Sequence, residues 1–129
     1  MAGKQQTAEP MIVISTSGQT IGSEPLEYPT TPEPEVTSAI FTIDPGNQSE
    51  WMTHPVQPFL YVLEGTLTVE FAEDASRQSF EAGTGFLQTR TKWHRGRNDG
   101  DSTVRFLAVF TGAKHIPTVL HPPAGAVFS

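Results

Sequence analysis

Two histidines, His54 and His94, are the residues of this chain best suited to chemistry. Near neutral pH an imidazole can carry a proton or donate a lone pair to a metal. Met52 stands two residues before His54, in a stretch with no helical periodicity. On extended backbone the period of two aims both side chains at one face, and Trp51 and Thr53 at the other. If that face looks into the protein, a thioether and an imidazole share a volume. His94 begins a separate segment, with Asn98 four residues later. Taken singly, each histidine reads more readily as an ordinary core residue, and Met52 as core filler. His115 and His121 fall in a proline-containing tail and read as surface residues. Arg90, Lys92, Arg95 and Arg97 form a local basic cluster, read as a solvated loop rather than an anion site.

Composition narrows the chemistry further. The 129 residues include no cysteine, which removes disulfides, thiolate nucleophiles and zinc–thiolate sites. No glycine-rich phosphate loop, nucleophile elbow or HExxH zinc motif is present, and no nucleotide cofactor is expected. A formal net charge of −6 argues against a nucleic-acid partner. Apolar runs such as 59–63 and 106–110 are too short to cross a bilayer, so no membrane partner is expected. The polar start, Met1-Ala2-Gly3-Lys4-Gln5-Gln6, lacks the apolar centre of a secretory signal. As written, the chain reads as soluble and cytoplasmic; it reads as periplasmic or exported if a signal peptide has been removed.

The elements that must position these residues are short strands. Eleven glycines and eleven prolines, with few helix-period stripes, suit a β fold rich in turns. Residues 1–35 are polar and proline-rich apart from 11–14, and read as an N-terminal arm with one short edge strand. Residues 36–113 read as one barrel and 114–129 as a C-terminal tail. Strands are expected over 36–43, 51–54, 59–63, 66–71, 78–81, 86–89, 94–98 and 103–110. Asp44-Pro45-Gly46 and Glu64-Gly65 supply turns, and Asp99-Gly100-Asp101 reads as a hairpin turn. The fold class is all-β.

Two segments carry a resemblance to a known family. PGNQSEWMTHPVQPFLYVLEGTLTVEF, residues 45–71, resembles the first motif of the cupin superfamily: a glycine, a His-x-His pair, a glutamate, then a glycine closing a strand. GTGFLQTRTKWHRGRN, residues 83–98, is similar to the second: a glycine, a Pro-x-Gly turn, a histidine and an asparagine four later. The resemblance implies a double-stranded β-helix, or jelly-roll barrel. It also implies a metal site in the barrel. The second histidine of the pair matches His54 and the histidine of the second motif matches His94. The first histidine of the pair falls on Met52, the glutamate on Pro58 with Gln57 beside it, and the Pro-x-Gly turn on Thr89-Arg90-Thr91. Two of the four usual ligands are kept and two are changed.

Several functions follow from that implication. With His54 and His94 as ligands and Met52 or Gln57 completing the set, the barrel would hold one divalent or copper ion. It would then be a metal-dependent dioxygenase, isomerase or lyase acting on a small organic substrate. Met52 with two histidines suits copper(I), since thioether is a soft donor, and loss of the carboxylate weakens the case for Fe²⁺ or Mn²⁺. The alternative is a metal-free, non-catalytic barrel that binds a small molecule. The extended arm and the family's pairing of barrels lead us to expect a homodimer.

Overall fold

The computed structural model describes residues 10–126 and 128. Seven strands make up its regular structure: β1 (Pro34–Ile43), β2 (Phe59–Glu64), β3 (Thr66–Phe71), β4 (Arg77–Glu81), β5 (Gly85–Leu87), β6 (His94–Arg97) and β7 (Val104–Ala113). They form two antiparallel sheets, β1-β7-β2-β5 and β4-β3-β6. The fold is all-β, as the pattern of short strands and glycine turns leads one to expect, and its two sheets agree with the double-stranded β-helix that the resemblance implies.

Alternation along the strands sets the two faces of the larger sheet. Ile43 on β1, Leu60 and Val62 on β2, and Val104, Ala108 and Phe110 on β7 turn inward, joined from the smaller sheet by Leu67, Val69 and Phe71. The β2–β3 connection needs Gly65: its φ is 75°, and a Cβ there would stand 2.6 Å from the Thr103 carbonyl oxygen. Only glycine meets both demands without strain.

Three sequence expectations are corrected. Residues 11–14 join no ladder; Met11 and Ile12 are each 85% exposed. The arm instead makes a tight turn closed by the Gln19–Pro25 bridge. Residues 51–54 are not a ladder strand but two isolated bridges, Met52 to His94 and Thr53 to Leu120. Asp99-Gly100-Asp101 does not close a hairpin, because β6 pairs with β3 whereas β7 pairs with β1 and β2. That stretch is a crossover between the sheets. The buried Asn98 amide holds it, donating to the Ile43 and Ser102 carbonyls and accepting from the Gly100 N–H.

Candidate functional site

Between the sheets lies a cavity of about 320 Å³ into which Met52, His54 and His94 face. The histidines approach it on separate elements. Met52 and His94 exchange backbone hydrogen bonds, Met52 N–H to the His94 carbonyl at 2.8 Å and the reverse at 3.1 Å. That bridge joins the segment of the first motif to the start of β6 and sets the pair in register.

Each ring is then fixed by a carbonyl. His54 Nδ1 lies 2.8 Å from the Thr118 carbonyl oxygen, and His94 Nδ1 lies 2.9 Å from that of Lys92. A carbonyl can only accept, so both Nδ1 atoms carry the proton. The two Nε2 atoms stand 3.1 Å apart, each presenting a lone pair. Burial lowers the His54 pKa, opposed by the Thr118 carbonyl. Burial and the nearby His54 lower that of His94 to about 4, despite Lys92 and Glu24. Both rings are therefore neutral near pH 7, and two bare nitrogen donors converge. Neighbouring lone pairs at that distance repel unless a proton or a cation sits between them.

The turn beneath the histidines is anchored from the arm by Glu24. Its carboxylate accepts from the Thr20 and Thr89 hydroxyls, the Arg90 and Thr91 backbone N–H groups, and the Thr91 hydroxyl. Burial opposes its charge, but these hydrogen bonds outweigh burial and lower its pKa to about 2. The Arg90 carbonyl in turn accepts the His54 N–H at 2.9 Å. Residues 89–91 hold the position of the family's Pro-x-Gly turn. Here a buried carboxylate restrains the turn in place of proline and glycine.

The structure separates the four proposed ligands. His54, His94 and Met52 come together at the cavity. Gln57 does not line it: its amide oxygen accepts from Arg90 Nη1 at 2.8 Å and its amide nitrogen donates to the Glu27 carbonyl at 2.7 Å. Gln57 is thus taken up in fastening the arm, and its place in the ligand set is corrected. Pro58 does line the cavity, with no donor to offer. Among the described residues no group of three or more His, Cys, Asp or Glu side chains is placed to share an ion.

Three of the four residues of the basic cluster are paired, Arg90 with Glu27 at 3.7 Å and Arg95 and Arg97 with Glu70, while Lys92 is exposed. Glu70 lies 2.8 Å from Arg95, 3.2 Å from Arg97 and 3.6 Å from Arg77, while Arg97 also meets Asp99 and Arg95 covers the Trp51 ring. His115 and His121 lie at the surface beside Glu33 and Glu50.

Three contributors escaped sequence reasoning. Gln88 lines the cavity, and its alternation with the buried Phe86 carried a usable signal. Glu24 and the Thr118 carbonyl carried none, because each acts across more than sixty residues of chain.

The cupin domain model matches residues 39–110, and the chain belongs to the cupin family. An uncharacterized conserved Klebsiella pneumoniae protein with a double-stranded β-helix domain is 17% identical, with a TM-score of 0.57 over 74% of this chain and 84% of that one. A Lactobacillus farciminis oxalate decarboxylase is 27% identical, with a TM-score of 0.56 over 67% of this chain; the match spans only 26% of the decarboxylase. A polyketide cyclase from Streptomyces resistomycificus is 21% identical, with a TM-score of 0.56 over 67% of this chain and 59% of the cyclase. No curated protein matches the sequence. Among the described residues no helix is long and apolar enough to cross a membrane.

Proposed function

We propose that this cupin holds one metal ion on His54 and His94, with Met52 as the third donor, beside a cavity that admits a small organic molecule. The observation that carries the reading is the pair of Nε2 lone pairs 3.1 Å apart, each ring having its Nδ1 proton committed to a carbonyl. Two imidazole nitrogens bound side by side to one ion, each at roughly 2.1 Å, lie about 3 Å apart, and a carbonyl on the far ring nitrogen is the usual support of a ligating histidine. The donor set fits a soft ion. Two neutral imidazoles and a thioether favour copper(I) over Mn²⁺ or Fe²⁺, which prefer carboxylate oxygen.

A bound ion would act as a Lewis acid, or as a redox centre if it is copper. The chain's own contributions are separate from that. The Thr118 and Lys92 carbonyls hold the two rings in one tautomer, and the Met52–His94 bridge keeps the elements in register. Leu60, Leu67 and Phe110 give the cavity beside the donors an apolar wall. The reading as an enzyme of small organic substrates rests on this centre, and the metal-free binding barrel is its competitor. Metal analysis of the purified protein, with a calorimetric titration of Cu(I) and Zn²⁺, separates them: the metal reading requires about one ion per chain, lost in His94→Ala.

We also propose that the protein pairs with a second copy of itself. The pleat turns Val36 and Ile40 of β1 away from the cavity, beside Leu107 and Val109 of β7. Val36 is 63% and Ile40 54% exposed, and the apolar segment 11–14 is exposed as well. Exposed apolar side chains on an edge strand favour association, and a self-complementary patch is what a twofold dimer uses.

A further inference from the structure

The cavity beside the two histidines has a composition that selects its ligand. Its walls are Phe41, Ile43, Leu60, Leu67, Phe106 and Phe110, with Phe41 and Phe106 stacked at 5.2 Å between ring centroids. Among the described residues no lysine or arginine lines it. The nearest basic side chains of β6, Arg95 and Arg97, are engaged by Glu70 and Asp99. One acidic residue, Asp44, lines the cavity. An anionic ligand would meet that carboxylate and would lose its hydration without a counter-charge, which is costly in an apolar pocket.

Thr42, Asn47, Gln48, Ser49 and Gln88 supply its neutral polar lining, and of these Gln88 alone is buried. Gln88 is 5% exposed, and its amide oxygen accepts from the Thr89 N–H at 3.0 Å. Its amide nitrogen has no hydrogen-bond partner among the described residues, and Gln88 lines the cavity. That nitrogen is accessible rather than sealed in the core, so it is free to donate to an oxygen on a ligand. Cavities near 300 Å³ suit ligands at the small end of the usual range.

From these features we infer that the cavity takes an uncharged ring compound carrying one hydroxyl or carbonyl oxygen, its ring between Phe41 and Phe106 and the aliphatic wall, its oxygen on Gln88 Nε2. This names the ligand class of the proposed metal site and rests on that reading for its link to catalysis, but binding itself needs no ion. Carboxylates such as oxalate are excluded as ligands of the metal-free pocket. The specificity is one of charge: the buried donor is the neutral Gln88 amide, and apolar contact supplies most of the rest.

The test is a calorimetric titration of the whole protein, metal-free and metal-loaded, with 2-naphthol, naphthalene, 2-naphthoate and oxalate. On the metal-free protein 2-naphthol should bind at least about tenfold more tightly than 2-naphthoate, and oxalate should not bind. Gln88→Leu should remove the preference for 2-naphthol over naphthalene. Phe41→Ala should weaken 2-naphthol by about tenfold; Phe41 is 38% exposed at the rim, so its loss leaves the core intact, as circular dichroism would verify. Naphthoate or oxalate binding the metal-free protein as well as 2-naphthol overturns the inference. So does a folded Phe41→Ala variant with unchanged affinity, or wild type that binds no 2-naphthol. If 2-naphthol fails while one ion per chain is retained, the ligand class falls and the metal centre stands. If 2-naphthol binds and no ion is retained, the ligand class stands and the metal reading falls.

Discussion

The Nε2 atoms of His54 and His94 face each other across 3.1 Å, while the Nδ1 of each ring is held by a backbone carbonyl, that of the distant Thr118 for His54 and of the nearby Lys92 for His94. Each carbonyl belongs to chain outside the seven strands: Thr118 in the C-terminal tail, Lys92 in the turn before β6. The site is thus framed by three parts of the molecule besides its own strands, namely arm, turn and tail.

Glu24 is the tie between arm and turn, and its protonation should loosen that tie at acid pH. Its folded pKa of about 2 lies below the ordinary carboxylate value of 4.5, so its stabilisation is fully present above pH 4.5 and disappears as pH falls through 2. Glu24→Gln should lower stability at pH 7 by on the order of 2–3 kcal/mol, since hydrogen bonds to a charged group are among the stronger ones. It should also flatten the acid limb between pH 4.5 and 2 relative to wild type. Melting temperature against pH, measured for both proteins, checks this; parallel curves would mean Glu24 is not the anchor.

Met52 and Gln57 are expected to differ in a single experiment. Met52→His should strengthen Mn²⁺ or Fe²⁺ binding by at least about tenfold, because it adds a harder nitrogen donor at the same cavity. Gln57→Ala should leave metal affinity unchanged and cost about 1–2 kcal/mol in stability, since its amide serves Glu27 and Arg90. No gain from Met52→His would show that position 52 does not reach the ion.

The exposed apolar strip on β1 leads to a solution property. Sedimentation equilibrium should give a dimer at micromolar concentration, and Ile40→Lys should shift it toward monomer. A wild-type monomer at that concentration would refute the pairing.

Much of the barrel was legible from the chain, for a physical reason. Period-two alternation and glycine turns are local, and β3 falls at Thr66–Phe71 as the pattern requires. The 99–101 turn was misread because a glycine turn looks alike whether it closes a hairpin or crosses between sheets; only the buried Asn98 amide separates the two. At the site, Met52 and His54 share a face, as alternation demands, and both line the cavity. Gln57 is misassigned from the sequence because proximity to Pro58 does not reveal which way a side chain turns between two prolines. Glu24 was invisible because a single carboxylate in a polar arm carries no mark of its distant partners.

The central claim is that the two histidines hold an ion. Titration of metal-free wild type and His94→Ala with Cu(I) and Zn²⁺, followed by calorimetry and by elemental analysis after dialysis, tests it most directly. The account predicts about one ion retained per wild-type chain, with Cu(I) preferred, and none in a His94→Ala variant whose circular dichroism is unchanged. No retained ion in wild type, or the same affinity in both proteins, would contradict it.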